Sequence, residues 1–110
     1  MKIIYNKLVR DRIPEIIEND NHTPVTRKLN KADFKKELLK KLEEEAAEVS
    51  LAKGKKELIN ELADIQEIML AVYDTFKIEC SDVTKCARKK RSERGGFKKQ
   101  IFLESVVENK

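Results

Sequence analysis

Between Leu42 and Asp64 the chain carries two short acidic motifs, Glu44-Glu45-x-x-Glu48 and Glu61-x-x-Asp64, separated by twelve residues of which one is a glycine. In a helix, residues three apart lie on one face about a turn from each other, so each motif sets two carboxylates side by side. Gly54, with lysines on both sides, reads as the turn of a helical hairpin. Folding the hairpin closed brings the two pairs together. Carboxylates so gathered repel unless a cation neutralises them, and hard all-oxygen donor sets suit Mg2+, Mn2+ and Ca2+. The spacing therefore predicts a metal site built on two helices.

Most Glu-x-x-Glu pairs are no more than the solvated face of a charged helix. A helical wheel at about 100° per residue separates that reading from the metal site. Phe34, Leu38, Leu42, Val49 and Ala52 form one apolar stripe, with Glu45 in its middle, Glu48 on its margin and Glu43 pointing away. On the second helix Glu61 falls between Ile65, Ile68 and Val72, and Asp64 beside Ile68 and Ala71. A carboxylate inside an apolar stripe is costly unless it is paired or bound to metal. Solvation accounts for Glu43 and for Glu44, but not for Glu45 and Glu61.

A chain of 110 residues forms one domain, expected to span residues 1–110, and is small for burying a core by itself. Charged and hydrophobic residues each make up 40%, which fits a soluble globular protein and not a disordered one. No apolar run approaches the roughly 20 residues of a membrane span, and the N-terminus lacks a signal-peptide core. A cytoplasmic protein without membrane association is expected. Cys80 and Cys86, with His22 as the single histidine, support neither a zinc framework nor a disulfide scaffold, so both are expected as buried free thiols.

Charge is unevenly spread. Residues 43–67 hold eight acidic side chains against three lysines, a net of −5, and residues 82–99 hold eight basic ones against two acidic, a net of +6. An acidic centre followed by a basic stretch suits a metal that must meet a polyphosphate. The basic stretch alone would also suit nucleic acid.

Along the chain, residues 2–9 have too little periodicity to classify, and Pro14 at a first helical position opens a short helix through Glu18. Residues 19–30 read as a polar loop with His22 on its surface. Asn30 is a suitable N-cap for a helix from Lys31 to about Lys53, closed by Gly54. A second helix runs from about Lys55 to Lys77 and is apolar around most of its circumference, which calls for cover on several sides and so for self-association. Ser81 can cap a further helix that ends near Arg94, before Gly95-Gly96. The apolar cluster Ile101-Phe102-Leu103 is expected to pack back on the helices. The expected class is all-α, a helical bundle around a central hairpin and completed by dimerisation.

The two acidic motifs together resemble the signature of the all-α nucleoside triphosphate pyrophosphohydrolases, the MazG-like superfamily, which also holds dimeric dUTPases and phosphoribosyl-ATP pyrophosphohydrolase. Tyr5-Asn6-Lys7-Leu8-Val9-Arg10-Asp11 and Arg91-Ser92-Glu93-Arg94-Gly95-Gly96-Phe97 further resemble a branch of short stand-alone members labelled phosphoribosyl-ATP pyrophosphohydrolase-like. The resemblance covers nearly the whole chain. It implies an all-α homodimer or dimer of dimers and a Mg2+-dependent cleavage between the α- and β-phosphates of a nucleoside triphosphate or related nucleotide, including the house-cleaning of non-canonical nucleotides. By the same resemblance Glu45, Glu48, Glu61 and Asp64 match metal ligands, with Mn2+ an alternative ion. Glu44 matches a motif residue for which ligand, water-orienting base and outer partner all stay open. Lys89, Arg91 and Arg94 match residues that meet phosphates, on a looser alignment. The turn between the acidic motifs is short for the family, so the nucleotide-binding loops of longer members are expected to be absent.

Hydrolysis of a phosphoanhydride needs charge neutralisation on the oxygens and an aligned water, with little covalent help. A divalent ion held by the four carboxylates supplies the first and lowers the pKa of the water, and a neighbouring carboxylate accepts its proton. Basic side chains hold the departing pyrophosphate by charge-assisted hydrogen bonds. No nucleophilic Ser or Cys is required, so direct attack by water is expected. Two competing readings are a nucleic-acid-binding module using residues 88–99 and a catalytically silent regulatory helical dimer. The first leaves Glu45 and Glu61 buried without reason, and the intact acidic quartet argues against the second.

Overall fold

The computed structural model describes residues 1–109, which form four helices and no strand. These are α1 (Ile13–Asn19), α2 (Lys31–Leu51), α3 (Gly54–Thr75) and α4 (Cys80–Arg94). They fall into two compact units, Met1–Ile78 and the segment that begins at Glu79. No helix among the described residues is long and apolar enough to cross a membrane.

In the first unit, α1 follows Arg12 with Pro14 in its first turn, where a missing N–H costs no intrahelical bond. The side chain of Asn30 caps α2 as expected, its Oδ1 accepting from the Asp33 N–H at 2.8 Å. α2 ends at Leu51 and not near Lys53, because Ala52 and Lys53 are both extended and make the whole link to α3. Gly54 is thus the first residue of α3 and not the residue that closes α2. Its φ of +83° lies where an L side chain is strained, and no atom stands within 4 Å of the place a Cβ would take, so the constraint is conformational and not one of space. Glu57 reaches back across the link, accepting the Lys53 N–H at 2.6 Å and satisfying one donor at the start of α3.

α2 and α3 pack against one another as a hairpin. Leu38 on α2 and Ile68 on α3 are its buried centre, at 4% and 9% exposure. Phe34, Leu42, Val49 and Ala52, with Ile65, Ala71 and Val72, are half-buried around them, so both predicted stripes face the contact. At the open end of the hairpin the Lys35 ammonium sits 5.3 Å over the Phe76 ring, joining the start of α2 to the end of α3. Leu58, Ile59, Leu62, Met69 and Leu70 of α3 remain exposed, as its wide apolar circumference predicts for a chain with few other helices.

The second unit differs from expectation at three points. α4 starts after Glu79 with no side-chain cap, and Ser81 lies inside its first turn. Cys80 and Cys86 are free but exposed, not buried. α4 holds no buried residue, and Val83 and Ala87 are too narrow an apolar strip to cover the thiols. The cluster Ile101-Phe102-Leu103 is also exposed, Phe102 at 87%, and the run forms no helix or strand that could present it as one face. The end of α4 matches its prediction: Gly95, at φ +83°, donates its N–H to the Arg91 carbonyl at 2.8 Å.

Candidate active site

The hairpin gathers Glu45 of α2 with Glu61 and Asp64 of α3, and each offers a carboxylate oxygen such that all three atoms lie within 4.8 Å of one another. All three residues are half-buried, and the Glu45 side chain is only 16% exposed. Their convergence follows from sequence position. Glu45 stands in the apolar stripe that α2 turns to its partner, and Glu61 and Asp64 share one face of α3. The antiparallel hairpin sets Glu45 and Glu61 at comparable distances from the hinge.

Glu48 lies outside this group and is exposed. It is one turn nearer the hinge than Glu45, whereas Asp64 is one turn further from it than Glu61, so the two are offset by about 9 Å along the hairpin axis. Glu44 is exposed as well, turned about 100° from Glu45 on the helix.

Among the described residues two cations approach the triad. Lys41, one turn before Glu45, puts its Nζ 3.9 Å from Glu45 Oε1. Arg10, from the segment before α1, donates through Nη2 to Asp64 Oδ1 at 2.7 Å. Glu61 has no such partner among the described residues. Desolvation first, then the charges of Glu45, Asp64 and Glu48, and finally a hydrogen bond with Glu45 raise its carboxyl above the usual 4.5. The cluster thus has one carboxylate that calls for a proton or a further cation, and its donors are all hard oxygens of the kind that Mg2+ and Mn2+ take.

Sequence reasoning missed both cations. Lys41–Glu45 is a plain four-residue helical spacing and could have been read as a pair. Arg10 and Asp64 are 54 residues apart, with no local pattern to join them. An open groove lined by Lys56, Ile59, Asn60 and Ala63 begins at Glu61. Lys89, Arg91 and Arg94 are exposed on α4. Arg91 and Arg94 share a face of that helix, while Lys89 projects about 140–160° away from both.

No curated protein and no solved structure matches the chain. A family model described as phosphoribosyl-ATP pyrophosphohydrolase matches residues 7–91, a span that takes in Arg10, both acidic motifs, Lys89 and Arg91 and stops short of Arg94. The match bears out the resemblance read from the acidic motifs, and by it the chain belongs to the phosphoribosyl-ATP pyrophosphohydrolase family, hydrolases that act on acid anhydrides.

Proposed function

We propose that the protein hydrolyses a nucleoside triphosphate, or a related nucleotide such as phosphoribosyl-ATP, between its α- and β-phosphates, giving a monophosphate and pyrophosphate with Mg2+ or Mn2+ as cofactor. The observation that carries this reading is the half-buried triad of Glu45, Glu61 and Asp64, in which one carboxylate lacks a cationic partner among the described residues. A triad left in that state without purpose would only weaken the fold.

In this reading Glu45, Glu61 and Asp64 hold the divalent ion, and Glu48, whose charge already reaches Glu61, adds a fourth carboxylate from the hinge side. The ion supplies charge neutralisation on the phosphate oxygens and a more acidic water. Glu45, with its side chain 16% exposed, keeps the site's shape, and together with Glu44 serves the attacking water. Lys89, Arg91 and Arg94 meet phosphates, with Arg91 and Arg94 able to act as one face. The exposed apolar residues of α3 and the thin core of the hairpin support a homodimer or larger assembly, in which a second copy covers that face.

The test is pyrophosphate release from a panel of ordinary and modified nucleoside triphosphates and phosphoribosyl-ATP, with Mg2+, with Mn2+ and in EDTA. Metal-dependent release from at least one member is expected, and house-cleaning activity would appear as a preference for the modified ones. Absence of release from every member with either ion overturns the reading.

A further inference from the structure

We propose that Arg10 is a phosphate-binding residue of this site, holding the outgoing pyrophosphate or its precursor. The inference rests on the metal-dependent reading above and adds to it a residue outside both acidic motifs. Arg10 lies just before α1, in the segment with no helical periodicity, yet its guanidinium reaches Asp64 at 2.7 Å. That side chain is 58% exposed and Asp64 is 35% exposed, so the pair stands at the mouth of the cluster and not inside it. An ion pair so open to water is weak and can change partners. Lys41, the other cation, is half-buried and held within its own helix at Glu45. Arg10 is therefore the cation with both the reach and the freedom to turn outward.

The chemistry favours that turn. Asp64 would be one of the carboxylates that hold a divalent ion, and a carboxylate shared with that ion would attract Arg10 less strongly. A guanidinium offers a planar fork of donors that matches phosphate in two parallel hydrogen bonds, which a lysine cannot reproduce. Released from Asp64, the guanidinium would stay at the exposed rim of the cluster, within reach of a phosphate bound there. Arg10 would then exchange its carboxylate partner for a phosphate oxygen of the substrate.

The experiment compares the parent with Arg10→Ala and Arg10→Lys in the full chain, using titration calorimetry with Mn2+ alone and with pyrophosphate at saturating Mn2+, alongside kcat and KM for a triphosphate. Circular dichroism checks that each variant keeps its helices. Arg10→Ala should bind Mn2+ as tightly as the parent or more tightly, because a competing cation is gone. It should bind pyrophosphate at least about tenfold more weakly, equivalent to about 1.4 kcal/mol, and raise KM more than it lowers kcat. Arg10→Lys should recover part of the loss. Pyrophosphate affinity within about twofold of the parent overturns the proposal. If that result comes with weakened Mn2+ binding, Arg10 is a positioning residue for Asp64. A parent that binds Mn2+ and hydrolyses a triphosphate while Arg10→Ala keeps its pyrophosphate affinity removes only this proposal, whereas a parent that does neither removes the reading it rests on.

Discussion

The α2–α3 hairpin and α4 are both charged helical segments, but they use charge in opposite ways. On the hairpin, apolar stripes meet, and carboxylates caught between them are held at 4.8 Å or less where they cannot escape one another. On α4 no residue is buried, and the basic side chains project separately into water. Charged side chains, acidic in one place and basic in the other, give a constrained site on the hairpin and a solvated surface on α4. Burial, and not the number of charges, makes the difference.

Apolar substitution in the two segments gives the widest contrast. Leu38→Ala should destabilise the protein by about 3 kcal/mol, since it empties the centre of the hairpin contact, while Val83→Ala on α4 should stay within about 0.5 kcal/mol. Urea unfolding of both variants measures this, and equal losses would dissolve the distinction. Next comes the site itself. Glu45→Gln keeps the shape and removes one repelling charge, so hydrolysis should fall at least about a hundredfold, roughly 2.7 kcal/mol of transition-state stabilisation. The variant should also melt higher than the parent in EDTA and gain less from Mg2+, which at 100 times its Kd adds about 2.7 kcal/mol to the parent. Glu43→Gln, one of the solvated glutamates, should change none of the three.

Replacing Lys89, Arg91 and Arg94 together by alanine should lower kcat/KM for a triphosphate about tenfold if α4 meets phosphate. A change within about twofold would make α4 the plain solvated face it resembles and leave phosphate binding to the hairpin unit. The smallest effect concerns protons. Because the folded state raises the Glu61 carboxyl above 4.5, the folded protein binds more protons there than the unfolded chain. The stabilising contribution is complete below 4.5 and is lost as pH rises through the folded value. In EDTA the parent should therefore lose stability relative to Glu61→Gln as pH rises through that window, and saturating Mg2+ should flatten the difference. A parallel pair of melting curves across that range would contradict the cause assigned to the shift.

Much of the hairpin was legible in the sequence because its signals are periodic and local. Phe34, Leu38 and Leu42 recur on one face, Asn30 stands where a cap is needed, and Glu45 interrupts a stripe that has no other reason to be polar. Glu48 was harder, because its membership depends on register across the hinge and not on spacing along one helix. Arg10 falls in a motif that carries the resemblance, but its pairing with Asp64 is not legible, since no local pattern joins residues 54 apart. In the second unit the errors share a cause. Residue type suggests a cap at Ser81 and burial at Cys80, Cys86 and residues 101–103, but a cap also needs the helix to begin at that residue, and burial needs an apolar face wide enough to share it.

The link between α2 and α3 is two residues long and is followed at once by a glycine whose backbone an L side chain resists. Such a joint tolerates length changes in an uneven way. One added residue cannot be taken up in a connection that has no slack, so it must either unwind the end of a helix or rotate α3 by about 100°, carrying Glu61 away from Glu45. A long flexible insertion is gentler, because the apolar faces can still find each other and each doubling of loop length costs only about 0.6 kcal/mol. Evolution at this hinge is thus expected to proceed by whole loops and not by single residues.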